Sequence, residues 1–187
     1  LRRLSRQKEI VIGVPLADRA LVGGETLVGH CVNFLPLRAS IEDNQTFTAL
    51  LATMRKTFLD ADEHGRYAFG SLLQKLNLSR DPSRMPLVSA TFNLERVSEE
   101  LKFFGVETEL AGNAHSAASF DINFDVTDAR EGLQLNCRYH ASLFSAPTIQ
   151  RWLAHYQPLL EGIVADPQRH VGDLPMLTEN ERKQVLI

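Results

Sequence analysis

Between residues 120 and 139 the sequence alternates with a period of two, a pattern that no helix can carry. Phe120, Ile122, Phe124 and Val126 are separated by Asp121, Asn123 and Asp125, and Leu133, Leu135, Cys137 and Tyr139 repeat the pattern. Successive side chains of a strand point to opposite faces, so each run has one apolar and one polar face. Residues 127–132 (TDAREG) lie between the runs and supply a turn. The pair therefore predicts an antiparallel hairpin whose apolar face must be laid on a core.

The rest of the chain has to provide that core. Two β-branched runs, residues 10–14 and 28–37, predict further strands, with Pro15 and Pro36 at edges or strand ends. The period changes at Thr46. Phe47, Leu50, Leu51, Met54 and Phe58 recur at helical spacing, which predicts a helix capped by Thr46 or Asn44 and ending near His64 and Gly65. Phe69, Leu72, Leu73 and Leu76 give a second, shorter helix. Residues 80–86 (RDPSRMP) read as a loop and residues 87–94 (LVSATFNL) as a buried strand, with room for one more strand in 101–110. Ser145 caps a last helix, with Pro147 in its first turn. Its stripe of Ile149, Trp152, Leu153, Tyr156, Leu159, Leu160 and Ile163 runs across Pro158. An interior proline costs about 3 kcal/mol. Burying such a stripe is worth on the order of 10 kcal/mol or more, so a kinked helix is expected rather than a broken one.

Residues 1–6 read as the tail of a helix, and the chain beyond Asp166 and Pro167 as linker that can fold back through Leu174, Met176 and Leu177. The order of elements predicts an α/β sandwich of two or three layers around a mixed, largely antiparallel sheet.

Composition removes several functions. The chain is 44% hydrophobic and 23% charged with a formal net charge of -3. A nucleic-acid binder would show a basic surplus, and the basic cluster in residues 1–8 reads as a solvated face. No apolar run is long enough to span a membrane, the first residues carry no apolar signal core, and cytoplasmic residence is expected. Cys31 and Cys137 read as buried free thiols. The motifs G-x-S-x-G, H-E-x-x-H, G-x-x-x-x-G-K and C-x-x-C do not occur. Histidines stand at 30, 64, 115, 140, 155 and 170 without partners at ligand spacing, so no metal site is expected. His30 has the best claim to chemistry, because it lies in the stretch 10–38 (IVIGVPLADRALVGGETLVGHCVNFLPLR). There Arg19 and Asn33 are set at and inside apolar runs and require partners.

That stretch and three later ones resemble the C-terminal lobe of condensation domains from nonribosomal peptide synthetases. RLSRQKEIVIGVPLADR is similar to a helix end followed by a strand of the type I-G-x-P-x-A-x-R, and VGHCVNFLPLR to the family's V-G-x-x-V-N-x-L-x-L-R. FLDADEHGRYAFGSLL and RDPSRMPLVSATFN resemble the next two motifs in order, and LPMLTENERKQVLI resembles the linker toward an adenylation domain. Arg6, Phe34 and Ala68 depart from the residues common at their positions, which loosens statements about substrate preference.

The resemblance implies one lobe of a chloramphenicol-acetyltransferase-like fold in residues 1–168, with the N-terminal lobe absent, and a linker in residues 169–187. It implies a tunnel between two lobes, entered by the phosphopantetheine arms of upstream and downstream peptidyl carrier proteins, with no cofactor bound directly. Amide formation there joins an acyl or peptidyl thioester to an aminoacyl amine. Arg19 matches the arginine that pairs with the aspartate of the signature H-H-x-x-x-D-G on the other lobe. That signature is not in this sequence. No catalytic residue is therefore assigned, and the fragment alone is expected to be inactive, since a positioned base is worth about 10²- to 10⁴-fold.

Asn93 matches a strand position that faces the reacting centre in some members, with a backbone-bonding role as the alternative. Asn33 is assigned to support of the site, through bonds to neighbouring backbone more than to substrate. Ala20, Gly23, Gly24, Gly29 and His30 fall in the loop that floors the tunnel, and the hairpin at 120–139 is the candidate latch onto the other lobe. An epimerisation-domain lobe and a non-catalytic scaffold or docking lobe are the competing readings.

Overall fold

The computed structural model describes residues 1–17, 29, 31–78, 81, 84–96, 104–106, 119–129 and 132–185. Its strands are β1 (Glu9–Ala17), β2 (Val32–Ser40), β3 (Ala90–Arg96), β4 (Ile122–Ala129) and β5 (Gly132–Tyr139), joined in one mixed sheet of order β2-β1-β3-β4-β5. The β1–β2 and β4–β5 pairs are antiparallel along their whole length. The β3–β4 pair is parallel, and β1 touches β3, also in parallel, only at Ile12↔Ala90 and Gly13↔Thr91. Helices α1 (Arg2–Ser5), α2 (Phe47–Glu63), α3 (Phe69–Leu76), α4 (Ala146–Ala154), α5 (Tyr156–Ala165) and α6 (Glu179–Val185) complete the described elements, with a 3-10 turn at Val171–Asp173.

The register puts Ile12, Ala90, Ile122, Phe124, Cys137 and Tyr139 on one face, where they meet Ile149, Trp152 and Leu153 of α4. The hairpin thus lays its apolar side on a helix, as its alternation requires. Cys31 and Cys137 are free and half-buried.

Pro36 lies in β2, an edge strand, and Pro15 lies in the part of β1 beyond its contact with β3. Both therefore occupy positions where a missing N–H costs no second ladder. Thr46 caps α2, its hydroxyl accepting from the Ala49 N–H at 3.2 Å.

Strands β1, β2 and β3 run two or three residues past their expected ends, to Ala17, Ser40 and Arg96, and four further differences from the sequence expectation have a physical reason in the structure. Strand β3 begins at Ala90 rather than at 87, because Leu87 has φ +69° and leaves the extended region. Ala129 pairs with Gly132, so the hairpin turn is shorter than residues 127–132. Phe120 precedes β4, and its ring stacks on Phe34, centroids 5.2 Å apart, on the face opposite Ile122. The stripe through Pro158 divides into α4 and α5 at His155, whose backbone stays right-handed (φ -71°, ψ -18°). Proline at 158 has no N–H for the carbonyl four residues earlier, so the ladder is interrupted while the chain keeps its helical course. The expected strand at 101–110 lies mostly outside the described residues.

Gly13 carries the junction of the β1–β2 pair with β3. A Cβ there would fall inside the edge of the Phe34 ring and 2.8 Å from Cγ1 of the fully buried Val88. Phe34 cannot easily yield, since it also meets Phe69 edge-on at 5.2 Å. Gly13→Ala should lower stability by about 1–3 kcal/mol, as overpacking does, read as a lower denaturant midpoint with an unchanged slope.

Candidate functional site

The face of the sheet that carries Gly13 becomes polar across β3, β4 and β5. Directly opposed in register are Thr91, Asn123 and Arg138, with Asn93, Asp125 and Asn136 forming the next row. Thr91 is 3% exposed, and its hydroxyl donates to the Asn123 side-chain carbonyl. The Asn123 amide donates to Asp125 Oδ2 at 2.6 Å, and Arg138 Nη2 donates to the same oxygen at 2.7 Å. One chain of hydrogen bonds therefore crosses three strands. Asn93 turns along its own strand, its amide donating to Glu95 Oε1 at 2.7 Å. A row fixed on strands at every link is preorganised, so it can orient a polar group without a rearrangement.

Its chemistry is that of binding and orientation. Cys137 lies behind the row, on the apolar face, with its thiol pushed up to about 11, first by burial and then by the charge of Asp125. At neutral pH it is a thiol and not a nucleophile. The histidines of the described residues are each engaged: His64 with the Asp60 carbonyl at 2.9 Å, His140 with Ser142 at 2.8 Å, His170 near Asp173 at 3.7 Å and, across 26 residues of chain, His155 with Glu181. Among the described residues there is no cluster suited to a metal ion, and no helix is long and apolar enough to cross a membrane.

The residues singled out from sequence divide into three groups. Arg19, Ala20, Gly23, Gly24 and His30 lie outside the described residues. Gly29 is described and exposed. Asn33 and Asn93 lie on opposite faces, since Asn33 shares the face of Ile12 and Asn93 that of Gly13, and the sheet does not bring them together. The amide of Asn33 donates to the carbonyls of Gly65 and of Tyr67 (3.0 Å for the latter), and its oxygen accepts from the Phe69 N–H at 3.4 Å. It thereby pins the α2–α3 connection to β2. Sequence reading missed Thr91, Asn123, Asp125 and Arg138 as a unit. Their signal was present in the polar half of the alternation, at 91, 93 and 95 and at 123 and 125, which register alone could align.

Comparison with known proteins gives this arrangement a family. The model of the Condensation domain matches residues 1–186. The chain belongs to the condensation-domain family. Gramicidin S synthase 2 of Brevibacillus brevis is 34% identical over 188 residues, covering 100% of this chain and 4% of that protein. The X-domain from teicoplanin biosynthesis superposes with a TM-score of 0.84 at 23% identity, covering 94% of this chain and 42% of that one. The first condensation domain of the CDA synthetase gives 0.74 at 19% identity, covering 95% and 40%. These structures share the mixed α/β, chloramphenicol-acetyltransferase-like fold. The chain thus spans a small fraction of that curated relative and roughly two fifths of these two solved chains.

Asn33→Ala removes three backbone partners at once and should cost about 1–3 kcal/mol. Amide exchange should quicken first in α3, the element that Asn33 holds.

Proposed function

We propose that this chain is the C-terminal half of an amide-forming condensation domain, with its body in residues 1–168 and a linker toward an adenylation domain in 169–187. The observation that carries the proposal is the family match across residues 1–186, joined to a coverage of 40% of the solved first condensation domain of the CDA synthetase. The other lobe, the upstream and downstream carrier proteins and the adenylation domain are its partners, and phosphopantetheine arrives on the carriers.

In the reaction the acceptor amine attacks the donor thioester carbonyl. A C–N bond forms, the C–S bond breaks, the amine gives up a proton and the thiol of the donor arm leaves. The base for that proton belongs to the other lobe. This chain contributes Arg19, paired with an aspartate across the lobe boundary, and the wall around Asn93, where the polar row can bind and orient polar atoms of the substrates. Residues 20–30, with Ala20, Gly23, Gly24, Gly29 and His30, form the floor. Asn33 acts at one remove, by fixing the α2–α3 connection.

A docking reading has one observation in its favour. The X-domain of teicoplanin biosynthesis, which shares the fold, is seen in complex with OxyB. The readings part in one assay, using the two-lobed domain with loaded carriers. An intact H-H-x-x-x-D-G in the other lobe and formation of the amide support condensation, whereas carrier binding without amide supports docking. In the same assay Arg19→Ala should cut turnover more than tenfold, the scale of losing one member of a desolvated charge pair. Unchanged turnover and unchanged stability would show that the inter-lobe pair does not exist.

A further inference from the structure

Residues 169–185 are fastened to the body at three successive places. Near the start, the N–H groups of Val171 and Gly172 donate to the carbonyls of Gln45 (2.8 Å) and Asp43 (2.9 Å). Next comes an apolar pin. Leu174 is 3% exposed, and Pro175 lies against Gly162 of α5, where a Cβ would come within 2.5 Å of the proline ring. Arg3 donates to the Leu174 carbonyl as well. Leu177 is 44% exposed and takes no part in the pin.

The third fastening is polar. The Glu181 carboxylate accepts from the Thr178 N–H at 2.9 Å and from the Thr178 hydroxyl at 2.8 Å, and the Glu181 N–H returns a bond to Thr178 Oγ1 at 3.3 Å. Such reciprocal bonds are a capping box, which alone would be local to α6. Here the same carboxylate also takes His155 Nε2 at 2.9 and 3.0 Å. His155 is a body residue, 8% exposed, at the joint where Pro158 interrupts the ladder. Its Nδ1 is buried without a partner among the described residues, so the bond to Glu181 is what orients the ring. The Thr178 N–H, then His155, then the Thr178 hydroxyl hold the carboxyl down to about 2, against the opposing effect of desolvation, and it stays an acceptor at neutral pH.

Helix α6 has only seven residues and none of them is buried. Isolated helices shorter than about 12–15 residues are marginal in water, so α6 depends on this contact for its order. We propose that Thr178, Glu181 and His155 form a clasp that holds α6 to the α4–α5 joint and opens while the Leu174–Pro175 pin stays seated. Opening melts α6 and frees the chain beyond Leu177, while residues 169–175 stay on the body. The inference concerns this chain's own fold and does not depend on the condensation reading.

Trypsin reports it directly, because Arg182 and Lys183 lie within α6. In Glu181→Ala and in His155→Phe, cleavage after these two residues should start roughly tenfold faster than in the unaltered chain, the scale of a lost cap. Cleavage after Arg151 and Arg169 should not change in Glu181→Ala. The His155 variant separates a clasp on the body from a merely local cap. Unchanged α6 cleavage in either variant overturns the clasp. Faster cleavage after Arg151 in Glu181→Ala, or failure of that variant to fold, overturns its independence from the pin.

Discussion

The β1–β2 pair joins the three strands β3, β4 and β5 through a contact two residues long, and Gly13 is half of it. Opposite Gly13 on one side stands Pro36 and on the other Thr91. With no side chain at 13, the Phe34 ring of the edge strand can lie across β1, where it meets Phe69 at the start of α3 and Phe120 ahead of β4. Three segments distant in sequence are tied by one aromatic contact set. Because Thr91 is the register partner of Gly13, the same junction fixes where the polar row of β3 to β5 begins. The candidate site is therefore positioned by a steric allowance, and its own hydrogen bonds come second.

The sheet separates two tasks by face. One face is apolar and supplies the core around Ala90, Ile122 and Ile149. The other presents Thr91, Asn123, Asp125 and Arg138 in continuous hydrogen-bonded contact. Asp125 is felt on both, since its charge adds to burial in raising the Cys137 thiol. A thiol so suppressed leaves the polar row with orientation and charge as its means.

Much of the fold was legible because period is a local property. The alternation at 122–126 and 133–139, the helical spacing from Phe47 to Phe58, the cap at Thr46 and the proline positions each depend on near neighbours, and each has its counterpart in the structure. What escaped is non-local. Nothing in the string PLVSA announces that Leu87 takes a positive φ, and nothing near Phe120 shows that a bend will turn its ring onto Phe34. The polar row was invisible as a unit for the same reason: its members lie on three strands, and only register aligns them. The family's motifs singled out residues 19–33 and Asn93, but several of these fall outside the described part of the chain, so the geometry speaks to Asn33 and Asn93 alone among the polar ones.

Helix α2 shows why periodicity and burial are different facts. Its stripe has the spacing of a core-facing helix, yet no residue of α2 is buried and Leu51 stays 55% exposed. Met54 instead borders a cavity of about 360 Å³ between the apolar sheet face and the helices, together with Leu1, Leu4, Trp152, Tyr156 and Met176. An apolar stripe states that side chains gain by leaving water, at about 25 cal/mol for each Å² covered. Whether anything covers them is decided by the shape of the rest of the molecule. The last segment illustrates the converse: residues 169–185, too poor in apolar side chains to announce a packed element, are held to the body by Leu174 against α5 and by one carboxylate on one histidine. Local pattern predicts where burial would be favourable, while individual contacts of high sequence separation decide where it occurs.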